Sequence, residues 1–287
     1  MSRRRPIQEN TPGEGAAQGG RAPFLREIHR RSGGDDARFP FSVPVIRSLE
    51  TLRFDRPVTF FVGENGSGKS TLLEAIAAAA GLPSVGSVDL DADVTLMEQR
   101  TLARTLRLVW TRRTPRGFFL RAEDFFGFAK RMAALRSELE AGLAAVDREY
   151  ADRPGLAHDL ARTPYLKELG ALEERYGAGL DARSHGEAFL RLFQARMVPG
   201  GLYLLDEPEA PLSPVRQIAF LALVRDLVKT GAQLVIATHS PILLAAPDAT
   251  IWSFDRTPIE PVAYGSLEHV TVTRDFLADP EAFLRHL

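Results

Sequence analysis

Apolar and polar positions fall into two textures along this chain. Between residues 39 and about 120, and again from about 185 onward, short solid apolar runs are separated by polar or glycine-containing breaks. In the middle, apolar positions recur at helical spacing instead. Val58 to Val62, Leu202 to Leu205 and Leu234 to Ala237 are runs of strand length and predict strands buried on both faces. Residues 70–80 follow the first run with helix formers, stopped by Gly81 and Pro83, and residues 218–229 form a later helix stopped by Gly231. Residues 107–110 and 117–120 predict two more strands, and residues 251–254 and 261–264 predict late edge strands. Strands alternating with helices imply an α/β fold with a mainly parallel sheet flanked by helices.

Leu135, Leu139, Leu143, Val146 and Tyr150 lie on one helical stripe between residues 130 and 150. This amphipathic helix is expected to pack in a small helical lid subdomain spanning about residues 124–185, with loops and short helices after Tyr150. A helix is also expected over 187–197, and a closing helix over 276–287. Val43, Val45, Ile46, Leu49, Leu52 and Phe54 suggest short strand-like pieces punctuated by prolines. Residues 1–38, with TPGEGAAQGG and RSGGDDA, have the composition of a disordered tail, which leaves 39–287 as the folded domain.

The 287 residues carry a net charge of −1, so no global basic field points to nucleic acid as the main partner. The chain contains no cysteine, which excludes disulfide scaffolds and cysteine-bound zinc or iron–sulfur sites. No apolar run is long enough to span a bilayer, and no signal-peptide core follows Arg3, Arg4 and Arg5. The expectation is a cytoplasmic protein without an intrinsic membrane segment.

Gly63-Glu64-Asn65-Gly66-Ser67-Gly68-Lys69-Ser70 fits the full P-loop pattern, between a predicted strand and a predicted helix. Its glycines allow backbone N–H groups to cradle phosphate oxygens, and the helix start adds partial positive charge. Lys69 can reach the outer phosphates of ATP, Ser70 can ligate Mg²⁺, and Thr71 can bond a phosphate. The second apolar run ends in Asp206 and Glu207, whose side chains point to opposite sides of the strand end. Asp206 can hold Mg²⁺, while Glu207 can orient or deprotonate water. The third run ends at Thr238 and His239, and the histidine is placed to contact a terminal phosphate.

P-loop, then LLDEP, then ATHS, in that order, resembles the ABC-type ATPase superfamily. The likeness is to single-domain ATPases of AAA_21 type, related to Rad50 and SMC heads, and it runs from about Phe39 to the C-terminus. The resemblance implies a P-loop ATPase fold, ATP and Mg²⁺ as ligands, and ATP hydrolysis. It also implies a signature motif, for which Ser184-His185-Gly186-Glu187 stands in place; read alone, this tetrapeptide is an ordinary helix cap. As a signature, Ser184 and Gly186 would act on a partner's ATP in a head-to-tail homodimer. The family's Q-loop glutamine falls on Glu123, a possible metal ligand, with Gln99 the weaker substitute, and its D-loop aspartate falls on Ser213. Phe39, Phe41 and Arg47 are weak candidates for contacting adenine. The work driven stays open between action on DNA or a protein partner, service as a transporter's ATPase subunit, and a slow dimerisation switch. The 113 residues between Ser70 and Ser184 leave no room for a long coiled-coil arm.

Overall fold

The computed structural model describes residues 22–85, 97–151, 155–176 and 185–285. In chain order the strands are β1 (Leu25–Arg30), β2 (Thr51–Arg53), β3 (Val58–Val62), β4 (Leu106–Trp110), β5 (Gly117–Arg121), β6 (Leu202–Asp206), β7 (Gln233–Ala237), β8 (Ala249–Ser253) and β9 (Glu260–Pro261). The helices are α1 (Pro44–Arg47), α2 (Lys69–Ala80), α3 (Met97–Thr105), α4 (Ala122–Glu149), α5 (Gly155–Tyr176), α6 (His185–Arg196), α7 (Pro214–Lys229), α8 (Pro241–Leu244), α9 (Glu268–Ala278) and α10 (Pro280–Leu284).

Six strands make the main sheet in the order β5-β6-β7-β3-β8-β9, parallel except at β9. β3, β6 and β7 are buried along their whole length, as their unbroken apolar runs require. Alternation of side chains then splits the core into two layers. Phe60, Val62, Tyr203, Leu205, Leu234 and Ile236 join Phe189 and Phe193 of α6 and Phe220 of α7. Phe61, Leu202, Leu204, Val235 and Ala237 join Leu72, Leu73 and Ile76 of α2 on the other side. In register, Phe61 and Asp206 both lie level with Ala237. The P-loop, the acid pair and the histidine segment therefore leave the sheet at one edge, beyond the C-terminal ends of parallel strands.

Of the tail expected over residues 1–38, residues 1–21 lie outside the described residues, and Leu25–Arg30 form β1 instead. β1 is the centre of a three-stranded antiparallel sheet between β2 and β4. Leu25 and Ile28 are fully buried, and the Gln233 side chain accepts from Leu25 N–H and donates to Leu25 C=O, both at 2.8 Å. These partners are remote in sequence, so no local pattern announces them. Among the residues read as strand-like, 44–47 form the helical turn α1, with Pro44 in the first turn where its missing N–H costs nothing.

Other boundaries also differ. The amphipathic helix starts at Ala122 rather than Lys130, and α5 runs through Pro164 where loops and short helices were expected. Packing against α4 and α6 overrides the lost backbone hydrogen bond at that proline. The late strand at 261–264 shrinks to Glu260–Pro261 followed by a 3-10 turn at Tyr264–Ser266. The closing helix becomes α9 and α10, broken at Asp279 because Pro280 disfavours helical backbone in the residue before it. Asp279 then caps the second piece, accepting from Ala282 N–H at 3.1 Å.

Candidate functional site

The loop between β3 and α2 is built on left-handed backbone. Gly68, the N-cap of α2, has φ 102°, and a Cβ there would sit 2.8 Å from Val43 Cγ1. Gly63 has φ 146°, and a Cβ would lie 3.0 Å from both Asp255 Oδ1 and Ser67 Oγ. Only glycine fits such conformations and close approaches. A glycine cap has no side chain to satisfy the first turn of α2, so those N–H groups are available to an anion. Buried Lys69 donates through Nζ to Gly63 C=O at 2.6 Å and Glu64 C=O at 2.8 Å. Burial lowers its pKa, opposed by the carboxylates of Glu207, Asp206, Asp255 and Glu209.

Asp206 continues the alternation of β6 onto the α2 side, where Ser70 Oγ donates to its Oδ1 at 3.1 Å. Burial pushes the Asp206 carboxyl up to about 7; Glu74 and Glu207 add to this, while the Ser70 bond and Arg121 oppose it. Arg121, level with Asp206 on β5, is ion-paired with buried Glu74. An unfolded aspartate ionises near 3.8, so the folded chain keeps a proton that the unfolded chain has lost. This contribution to stability is greatest below pH 4 and falls as pH rises towards 7. In chelator without nucleotide, raising the pH from about 5 to about 7.5 is expected to lower the denaturation midpoint of the parent, and much less that of Asp206→Asn.

Glu207 turns the chain with φ 49°, an uncommon value for a residue with a side chain, and its N–H donates to Ala237 C=O at 2.9 Å. Its half-exposed carboxylate points away from Asp206, and its Oε1 lies 3.9 Å from His239 Nε2. Burial lowers the His239 pKa, with Lys69 adding to this and Glu207 opposing it. The imidazole is therefore neutral near pH 7. Its Nε2 has no hydrogen-bond partner, nor has Ser67 Oγ in the loop. Glu64, Asn65, Glu207 and His239 line an open cleft of about 540 Å³.

The structure thus brings Gly63, Glu64, Asn65, Gly66, Ser67, Gly68, Lys69, Ser70 and Thr71 together with Asp206, Glu207 and His239. A phosphate fits the glycine cradle, the open helix start and the unpartnered donors. The Ser70–Asp206 oxygen pair fits Mg²⁺, which takes few protein ligands beside phosphate oxygens. Glu123 lies exposed in the first turn of α4, two residues beyond Arg121. Gly186 is buried in α6, where a Cβ would come within 2.6 Å of Pro211 C=O. Ser184 lies outside the described residues. Ser213 is the exposed N-cap of α7. Of the adenine candidates, Phe41 is 3 % exposed and belongs to the core, whereas Phe39 is 45 % exposed.

Three features escape sequence reasoning. Asp255, just past β8, accepts from Glu64 N–H at 2.7 Å and so pins the P-loop. The Arg121–Glu74 pair sits behind Asp206. Glu209 accepts from His239 N–H at 2.8 Å. Asp255 alone carried a usable signal, an acid just after a short apolar run that ends level with the P-loop strand.

A P-loop strand beside a strand that ends in a histidine, with a strand ending in an acid pair next beyond it, defines a nucleotide-hydrolysing domain. Two family models match, "AAA domain" over residues 42–89 and "AAA domain, putative AbiEii toxin, Type IV TA system" over residues 169–245. The hemin import ATP-binding protein HmuV of Bordetella pertussis is 32% identical over 202 residues, covering 68% of this chain and 71% of that protein. The cytochrome c biogenesis ATP-binding export protein CcmA of Rhodopseudomonas palustris is 30% identical over 192 residues, covering 66% and 82%. The solved ADP form of an ATP-binding cassette from an ABC transporter covers 90% of this chain and 96% of its own, at 16% identity and a TM-score of 0.43. The chain belongs to the ABC-type P-loop ATPases, and it binds and hydrolyses ATP.

Proposed function

We propose that this chain hydrolyses ATP at the cleft between the P-loop and the ends of β6 and β7, as half of an ATP-sandwiched head-to-tail homodimer that drives a separate partner. The observation that carries this reading is the convergence of Lys69, Ser70, Asp206, Glu207 and His239 at one edge of the sheet. The P-loop N–H groups and Lys69 hold the β- and γ-phosphates. Ser70 and Asp206 would hold Mg²⁺, which neutralises phosphate charge as the γ-phosphoryl group transfers. Glu207, on the cleft side, orients the attacking water and takes its proton. Neutral His239 donates from Nε2 to the γ-phosphate and so senses its loss. Glu123 would be a further candidate to hold Mg²⁺.

The dimer is supported by where Gly186 lies. It packs on Pro211, so the start of α6 and the 208–213 loop form one surface, next to Val215 and Ile218, which are 77% and 60% exposed. Exposed apolar residues grouped in this way suit a contact surface. Gly186 would act on the partner copy's ATP through the backbone at the start of α6, together with Ser184, which lies outside the described residues. Leu156 and Leu160, one turn apart on α5 and 75% and 65% exposed, offer a second apolar surface for the driven partner. The names of the hemin and cytochrome c relatives favour a transport assembly. No described helix is long and apolar enough to cross a membrane, so in that assembly the spanning part would belong to the partner.

Sedimentation in Mg-ATP, followed alongside phosphate release, tests the proposal. Dimers are expected with saturating ATP, dissociating to monomers as ATP is consumed. Undiminished turnover by a chain that stays monomeric at every protein concentration would overturn the sandwich.

A further inference from the structure

The Thr238–His239 segment joins β7 to α8 and must place the imidazole accurately. Thr238 N–H still donates to Phe61 C=O at 3.1 Å, whereas His239 N–H bonds a side chain instead. Glu209 Oε1 accepts from His239 N–H at 2.8 Å, across thirty residues of sequence. Beside it, Thr238 Oγ1 accepts from Ser240 N–H at 3.0 Å. His239 is thus tied directly to Glu209, and Ser240 to the Thr238 hydroxyl. The other carboxylate oxygen, Oε2, is sealed from solvent without a partner, so the group has no competing engagement.

A second tie runs parallel to the first. Gln217 Nε2 donates to Leu212 C=O at 3.0 Å, Ser240 Oγ donates to Gln217 Oε1 at 2.5 Å, and Leu243 N–H donates to Ser240 Oγ at 3.1 Å. Glu209 and Leu212 belong to one short turn, closed by Leu212 N–H on Glu209 C=O at 2.8 Å. The turn after the acid pair and the turn carrying His239 are therefore fastened at two points.

We propose that Glu209 is a positioning residue for ATP hydrolysis: it fixes the His239 backbone, and with it the imidazole facing Glu207, and makes the 208–213 loop and the histidine turn move as one body. The loop is part of the surface offered to a second copy, so closure of a dimer would reach His239 through this carboxylate. The inference rests on the reading that His239 acts on the γ-phosphate.

Two substitutions separate reach from charge. Glu209→Gln keeps an acceptor at the same reach and loses the charge. Glu209→Asp keeps the charge and falls short of His239 N–H by one methylene. For Glu209→Asp, kcat is expected to fall about 10- to 100-fold, the penalty of a misplacement near 1 Å, while binding of the fluorescent analogue mant-ATP stays within about twofold. Glu209→Gln is expected to recover most of the rate. In a His239→Ala background Glu209→Asp should cost nothing further, because residues acting through one group are non-additive. The inference falls if Glu209→Asp stays active beside an inactive His239→Ala, if Glu209→Gln loses as much as Glu209→Asp, or if the losses multiply in the double variant. A fully active His239→Ala overturns the role of His239, and this inference with it.

Discussion

Glu207→Gln is expected to lower kcat by about 10²- to 10⁴-fold, the range supplied by a positioned general base, while leaving ATP affinity nearly unchanged. The amide keeps the size and reach of the carboxylate but cannot take a proton from water. The phosphate contacts proposed for the P-loop and Lys69 do not involve Glu207, so binding is expected to survive. With hydrolysis blocked, the ATP-bound dimer should persist, visible as a stable early-eluting species in Mg-ATP and not in Mg-ADP. A variant that turned over at the parent rate would remove Glu207 from the mechanism.

Backbone geometry sharpens this test. Glu207 occupies left-handed backbone at φ 49°, where an L side chain costs roughly 1–2 kcal/mol. Glu207→Gly relieves that cost and adds about 0.5–1 kcal/mol of unfolded-state entropy. It should therefore be as stable as the parent or slightly more so, yet as inactive as Glu207→Gln. Such a result would show strain retained for the sake of where the carboxylate points.

Phe189→Ala carries the largest expected effect on stability, about 3–5 kcal/mol. Its ring is fully buried and meets Phe125 of α4 edge-on at 4.6 Å and Phe193 at 4.5 Å, and Phe193 in turn meets Phe220 of α7 at 4.9 Å. Removing it opens a cavity at the junction where α4, α6 and α7 meet. A domain's whole stability is of order 5–15 kcal/mol, so the loss takes a large share of it. Denaturant titration would show a lowered midpoint at unchanged slope, and Phe189→Leu, which refills much of the space, should cost clearly less. α6 also carries Gly186, so a dimer contact at that helix predicts weaker ATP-dependent association at temperatures where the variant remains folded.

The parts of this protein legible from one dimension share a physical cause. A strand buried on both faces must be apolar throughout, so Val58–Val62, Leu202–Leu205 and Leu234–Ala237 announce themselves. A phosphate cradle needs glycines at set spacing before a lysine, so Gly63 to Ser70 does as well. Because each apolar run is followed at once by its polar chemistry, Asp206, Glu207 and His239 could be nominated at their strand ends. Period-two alternation sets Asp206 and Glu207 on opposite sides of the strand end, and the fold turns Asp206 towards Ser70 and Glu207 towards the cleft.

What the sequence left undecided depends on partners far apart in the chain. β1 is a strand because β2, β4 and Gln233 surround it, although its neighbours have the composition of a tail. α5 crosses Pro164 because α4 and α6 hold it. Asp255 pins the P-loop from 191 residues away, Arg121 reaches Glu74 across two elements, and Glu209 holds the His239 turn across thirty residues. In each case one polar side chain meets a backbone or a charge at short range, and nothing in local composition or periodicity encodes such a meeting. The sequence by itself determined which chemical groups the ATPase possesses and on which strand ends they stand. Only the tertiary structure decided what holds those groups still, because hydrogen bonds and buried ion pairs depend on distances that folding alone creates.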